Sequence, residues 1–414
     1  MGTDGPTKIA IWWSTAITLL ATHAFAVWGA LYWRPIYAVP TQSLVLALVI
    51  WQLVSFSITI GYHRLYSHRA FRAKFTVRVV LAALGSAGFQ GSIKACPRTI
   101  LLVTVIFIFI HQQWWCLRHR LHHRFTDDPV HDPYAATRGL LYSHMGWLFF
   151  KPTYERMELV DREDLDSDPV VRFQHKHYIW IALFFGVVLP TLLGTTWGDP
   201  SGAFVWGALV SRLAIWHCTF LVNSLAHWDG LQPYSDENTS RGTFLLALVT
   251  CGEGSHNFHS FPHDWRSGPH SLSWDPSKWI IYALHRLGLV SSLRSVRDED
   301  LKEAMQYMHH KNMHGVPQPQ EGAPWDGETW DIQQAHEYIQ SKPGRCLVVI
   351  EDYFVDVTPY LGEHPGGATL LGKYSVHPQK DLIEASWAFD GGLNNHSRSA
   401  RKRMREFRIA QFKH

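Results

Sequence analysis

The sequence predicts a mainly α-helical protein: four membrane spans carrying a histidine-rich cytosolic cap, followed by a small α+β domain. Three observations lead there. Four apolar stretches approach the roughly 20 residues needed to cross a bilayer. Histidine is heavily used, with 26 residues against 38 lysines and arginines. A strand-turn-strand pattern follows a Pro- and Gly-rich linker near the C-terminus. Charged residues are only 18% of the 414, below the roughly 25% of ordinary soluble chains. The 19 tryptophans are of the type that favours membrane-water interfaces. A mean hydropathy of −0.10 confines the embedded part to a fraction of the chain. The net charge of +3 is too small to argue for a nucleic-acid partner. The five cysteines are scattered without a CxxC pair, which argues against a disulfide framework or zinc ribbon and for a reducing compartment.

The expected spans are residues 11–33, 41–62, 178–198 and 202–224. Short turns at 34–40 and 199–202 join them as two hairpins. The first stretch is too long for a signal-peptide core and lacks a basic leader, so it reads as a span. Arg64, Arg69, Arg72, Lys74 and Arg78 cluster just after the second span, while the two turns hold one arginine between them. By the positive-inside rule both turns lie outside, and the N-terminus, residues 63–177 and everything after about 225 lie in the cytosol. Arg212, inside the fourth span, must snorkel, pair or face a polar interior. Residues 311–328 read as a linker, and 346–350 with 353–357 as a strand pair, so residues 329–414 are expected to form the α+β domain.

All the histidine clusters fall on the cytosolic side. His63 and His68 emerge from the second span; His119, His122 and His123 form a second cluster; His256 and His259 form a third; and His227 ends the fourth span, four residues after Asn223. Residues at i, i+3 and i+4 share a helix face, so the second and third clusters can each aim their imidazoles at one point. The i, i+5 spacing of His63 and His68 needs a helix end or a distortion to converge. Eight imidazoles exceed the needs of one ion, so two metal ions are expected, and ligand type alone leaves Zn, Cu, Fe and Ni open. His23, His217, His175, His177, His309 and His310 are read as structural or surface residues.

The order HRLYSHRAF, HRLHHRFTDD with HDPY, NSLAHW and GEGSHNFH resembles the membrane acyl-CoA desaturases, most of all the fungal delta-9 (stearoyl-CoA) type with a C-terminal cytochrome b5 domain. The resemblance covers about 50–95 and 114–408. It implies a four-span desaturase fold over residues 1–310 and a di-iron centre held by His63, His68, His119, His122, His123, His227, His256 and His259. Asn223 is implied to hold a metal-bound water. Glu363-His364-Pro-Gly-Gly367 matches the haem-binding turn of cytochrome b5, with His396 at the position of the second axial ligand to haem b. Two protein ligands leave haem iron no open position, which suits electron transfer.

The implied activity is that of a stearoyl-CoA 9-desaturase: O2-dependent insertion of a cis double bond into a saturated fatty acyl-CoA. Electrons would come from NADH through a cytochrome b5 reductase and the fused haem domain, in the endoplasmic reticulum membrane. Side-chain acid-base chemistry cannot oxidise a methylene chain, whereas reduced metal with O2 can. Arg69, Arg72 and Lys74 are candidates for the CoA-binding surface, against the alternative of anionic lipid. A linker of this length has a coil span of about 20–25 Å, enough for a haem domain to dock and withdraw. The alternatives are a catalytically impaired homologue that only transfers electrons, and a related di-iron lipid hydroxylase.

Three features depart from the family pattern. The third box reads HNFHSFPHD where HNFHH is usual, so Ser260 stands in place of a histidine and His263 is the nearest substitute. Residues 95–113 interrupt the usual run into the second box and read as an unspliced short intron. Leu117 occupies a position where the family commonly has an arginine, with Arg118 beside it.

Overall fold

A computed structural model describes residues 10–94, 115–261, 263–316, 325–362, 364, 366–393 and 396–413. The chain divides into two compact units: one of residues up to Met308 without Glu158–Asp161, the other of that tetrapeptide with His309 onward. The intron-like residues 95–113 lie outside the described residues.

Among the described residues of the first unit, four helices are long and apolar enough to cross a membrane: α1 (Trp13–Trp33), α2 (Thr41–Ser67), then, further along the chain, Pro169–Thr195 and Pro200–His227. The shorter α3 (Phe75–Ser86), α4 (Trp115–Arg124) and α5 (Leu140–His144) come between them, so the last two spans are α6 and α7. Hydropathy therefore places the spans correctly but shortens three of them. Helix α2 continues to Ser67 through the first histidine box, and α6 begins nine residues early, where Asp168 accepts from the amides of Val170 and Val171 ahead of Pro169. Outward side chains such as Leu31, Leu48 and Trp180 are exposed, as suits helices solvated by hydrocarbon. The two hairpin turns are tied together at one end. Asp199 caps the start of α7 and pairs with Arg34, and Ser43 donates to its other oxygen at 2.8 Å.

Arg212 resolves as an interior cation. Its guanidinium lies 3.7 Å from the centroid of the Phe89 ring and donates to the Gly186 carbonyl at 3.3 Å. Three histidines outside the boxes form a string across α1, α7 and α5. His23 Nδ1 lies 2.7 Å from the Leu19 carbonyl, His23 Nε2 3.1 Å from His217 Nε2, and His217 Nδ1 3.0 Å from His144 Nε2. His144 Nδ1 is in turn 2.9 Å from Ser224 Oγ.

After α7 come α8 (His256–Ser260), α9 (Pro276–Arg286) and α10 (Asp298–His314). Lys311–His314, assigned to the linker by composition, are the last turn of α10, since nothing before Gly315 breaks the helix. In the second unit, β3 (Thr329–Trp330), β4 (Leu347–Ile350), β5 (Tyr353–Asp356) and β6 (Arg408–Phe412) form a sheet in the order β3-β6-β5-β4; β1 and β2 are a separate two-residue ladder, Arg72–Ala73 with Val290–Ser291. The β4–β5 hairpin turns on Glu351 and Asp352, both at positive φ, as a tight hairpin requires. Alternation along β4 builds two cores. Leu347 and Val349 pack with Phe354 and Ala410 on one face, and Val348 and Ile350 with Val355 and Phe389 on the other.

Candidate metal centre and haem site

The first box converges because its helix is not α-helical. Residues Ile58–Ser67 form a π-helix, and the His68 amide bonds the His63 carbonyl at 3.0 Å. With i→i+5 bonding, positions five apart stack on one face. The two rings therefore lie 4.7 Å apart.

The eight box histidines gather, but at two points. His63, His68, His119, His123 and His259 form one group, and His122, His227 and His256 a second, with the ligand atoms of each group within 4.8 Å of one another. This corrects the expectation that each helical cluster aims at a single point. On α4, His122 and His123 are about 100° apart, so the helix stands between the groups and feeds both. On α8, His256 and His259 divide in the same way.

Outer partners set the tautomers. His63 Nδ1 faces Glu253 Oε1 at 3.3 Å, and His122 Nδ1 faces Asp132 Oδ1 at 2.8 Å. His227 Nδ1 donates to Thr239 Oγ1 at 2.9 Å, whose own hydrogen goes to Asp127 at 2.7 Å. A carboxylate only accepts, so these rings carry hydrogen on Nδ1 and turn an unshared pair inward from Nε2. Yet His259 Nε2 sits 3.0 Å from His63 Nε2 and 3.2 Å from His123 Nε2. One N–H cannot bridge both gaps. A cation between the rings satisfies them all, and the donor set fits an imidazole-preferring transition metal.

Burial, then the charge of neighbouring imidazoles, pushes His68, His119, His123 and His259 well below their ordinary values, and brings His256 to about 3. Neutral imidazole is the form that binds metal. Glu253 goes the other way. Burial would raise it, but the charge of Arg64 and then His63 hold it far below the carboxylate range. Arg64, 1% exposed, grips Glu253 at 2.9 Å and Asp275 at 3.0 Å. Arg120, also on α4, ties the boxes together by donating to the Ser67 carbonyl at 3.1 Å and to Asp164 at 2.7 Å. Burial would raise Asp164 as well; the hydrogen bond and charge of Arg120, then those of Arg69, outweigh it and hold it at about 2.

Glu253, Asp132, Asp127 and Thr239 were not singled out by sequence reasoning. The usable signal was the acidic residues of HRFTDD and HDPY at the second box and of GEGSH ahead of the third, since a metal-binding imidazole needs an acceptor behind it. Of the candidate CoA contacts, Arg69 is committed to Asp164 at 2.7 Å, whereas Arg72 and Lys74 are exposed. Leu117 is buried, and Arg118 stacks 4.5 Å from the centroid of Trp147.

A cavity of about 390 Å³ lies beside the centre, lined by His63, His119 and Asn223 together with Trp115, Leu209 and Arg212. Leu209 to Asn223 along α7 spans about 20 Å. Asn223, one turn before His227, thus faces the cavity that two box histidines also reach.

In the second unit His364 and His396 face each other with ring centroids 6.2 Å apart and planes 24° from parallel. His396 Nδ1 donates to the Phe389 carbonyl at 2.8 Å, leaving Nε2 as the ligand atom. A Cβ on Gly366 would come within 3.0 Å of the His364 ring, and Gly367 sits at φ +80°. Both turn glycines are therefore needed where they stand. The pair of near-parallel rings fits one metal ion with nitrogens at about 2 Å on either side. Replacing either His364 or His396 by alanine is expected to abolish the absorption spectrum of a bis-imidazole haem in the purified full chain. An unchanged spectrum in either variant would refute this ligand pair.

Fold and site together define a class: a multi-pass membrane protein with two imidazole clusters, one of them reaching an apolar cavity, and a haem-binding domain on the same chain. Residues 329–413 match the family model described as cytochrome b5-like haem/steroid binding domain. The chain is 33% identical to the probable acyl-CoA desaturase of Schizosaccharomyces pombe over 425 residues, covering 98% of this chain and 80% of that protein. It is 37% identical to acyl-CoA desaturase 1 of Saccharomyces cerevisiae over 365 residues, 86% of this chain and 65%, just under two thirds, of that one. With stearoyl-CoA desaturase 5 of Bos taurus it shares 35% identity over 245 residues, 58% of this chain and 67% of the other. The chain belongs to the acyl-CoA desaturases, membrane oxidoreductases, and carries their fungal arrangement with a C-terminal cytochrome b5 domain.

Proposed function

We propose that the protein inserts a cis double bond, at the delta-9 position, into saturated fatty acyl-CoA. Residues 1–310 would hold the catalytic centre, residues 311–328 the linker and residues 329–414 the haem. The observation that carries this reading is the sharing of His63 and His119 between the imidazole cluster and the cavity, which brings a buried apolar chain against a metal centre. The eight box histidines would hold two irons, which with O2 would supply an oxidant strong enough for an unactivated methylene. With haem b between His364 and His396, the C-terminal domain gains one-electron transfer.

The chain's own residues do the rest. The cavity wall orients the acyl chain so that only the methylenes beside His63 and His119 face the centre. Trp115, packed flat on His119 at 5.2 Å, keeps bulk water from that face. Glu253 and Asp132 hold their imidazoles in the metal-binding tautomer, and Asn223 offers an amide to a water at the cavity edge. Arg72 and Lys74 offer cations to the CoA phosphates. A cytochrome b5 reductase using NADH would supply the electrons, with the centre and both termini on the cytosolic face of the endoplasmic reticulum.

Expression in cells lacking their own delta-9 desaturase tests this. Gas chromatography should show new monounsaturated sixteen- and eighteen-carbon acids. Their absence from cells whose membranes contain the inserted, haem-loaded protein would overturn the assignment.

A further inference from the structure

We propose that the two metal positions are unequal. The five-imidazole group is a full site that retains its ion, while the three-imidazole group is one donor short, at position 260, and exchanges its ion. The inference rests on the metal-centre reading above and adds which site is deficient and where.

The geometry of α8 locates the gap. His259 turns to the five-imidazole group and His256 to the three-imidazole group. Position 260 lies on the far side of His256 from His259, about 40° around the helix, and so shares the His256 face. The residue there is Ser260, half-buried, whose hydroxyl ends one bond beyond Cβ and is a poor ligand for the metals that imidazole suits. No other group makes up the deficit among the described residues. The carboxylates around this group are engaged elsewhere: Asp132 behind His122, Asp127 behind His227 through Thr239, and Glu253 on His63 and Arg64. His263, the nearest histidine in sequence, sits at the other group, with its ring 4.8 Å from His68 and 5.7 Å from His123. It therefore adds a sixth imidazole beside the site that already has five.

Two positions with five and three protein donors cannot hold the same ion equally. Loss of a partner merely behind a ligand costs about 10–100-fold in metal affinity. Loss of a ligand itself should cost at least that, leaving the three-imidazole ion with extra positions filled by water. Those positions are open to a small nitrogen ligand from solution.

The test is metal content of the purified full chain after dialysis against a mild chelator, with haem iron counted separately by its pyridine complex and subtracted. The native chain should keep about one non-haem ion, and Ser260→His about two. His263→Ala should still keep about one. Adding imidazole to the native protein during dialysis should raise retention toward two, a readout that needs no variant to fold. Retention of two ions by the native chain, as firmly as by Ser260→His, would overturn the inequality. Retention of none by native protein with an intact haem spectrum would overturn the metal-centre reading itself.

Discussion

Arg64→Met is expected to lower the thermal midpoint of the detergent-solubilised protein by on the order of 5–10 °C, following a loss of about 3–5 kcal/mol. Arg64 donates from Nε and Nη2 to Glu253, from both terminal nitrogens to Asp275, and from Nη1 to the Trp265 carbonyl at 3.0 Å. Both carboxylates are buried. Removing the cation leaves two uncompensated negative charges in the protein interior, and neither can reach water without opening the cap. Asp275 also caps α9 by accepting from the Lys278 amide, so the damage spreads to that helix. Arg64→Lys should recover little, because a single ammonium cannot reproduce two planar forks. A midpoint within about 2 °C of native for Arg64→Met, measured by size-exclusion chromatography after heating, would show that the network does not support the cap.

Glu253→Gln should weaken ion retention at the five-imidazole group by about 10–100-fold without unfolding the chain. Arg64 keeps Asp275 in this variant, so the interior does not lose all its compensation. What changes is the acceptor behind His63. A carboxylate can only accept from His63 Nδ1, whereas an amide can also donate to it and stabilise the tautomer whose hydrogen points at the metal. Competition with a chromophoric chelator reads the effect directly, and an unchanged release curve would remove Glu253 from the role assigned to it.

Much of this architecture was legible in the sequence. Twenty apolar residues in a row admit few alternatives to a span, and the short apolar runs 346–350 and 353–357, parted by Glu351 and Asp352, mark a strand pair. The box histidines were legible as ligands because imidazoles at helical spacing have few other reasons to cluster. Their division between two points was not, because it depends on where α4 and α8 stand relative to the groups. Face-sharing arguments locate neighbours on one helix but cannot say that the helix is flanked by two sites. The i, i+5 spacing of His63 and His68 did call for a helix end or a distortion, but not for which of the two. The answer is a backbone wound with i→i+5 bonds, a change that Ile58–Ser67 does not announce in its composition. Glu253 escaped because its partner is distant in sequence: it serves His63, 190 positions away, although His256 is its neighbour by spacing.

The string of His23, His217 and His144 has a consequence in proton arithmetic. It makes four contacts, and its far ring nitrogens face Leu19 O at one end and Ser224 Oγ at the other. A carbonyl cannot donate, so every contact must take its hydrogen from a ring or from Ser224. Three neutral imidazoles bring three hydrogens. The fourth comes from the Ser224 hydroxyl, which then gives up its 2.8 Å bond to the Phe220 carbonyl, or from one additional proton held by the string. The single Ser224 hydrogen can therefore serve the His144 ring or the Phe220 carbonyl, but not both. Ser224 sits next to Asn223 and three residues before His227, so the string ends on the same stretch of α7 that carries both.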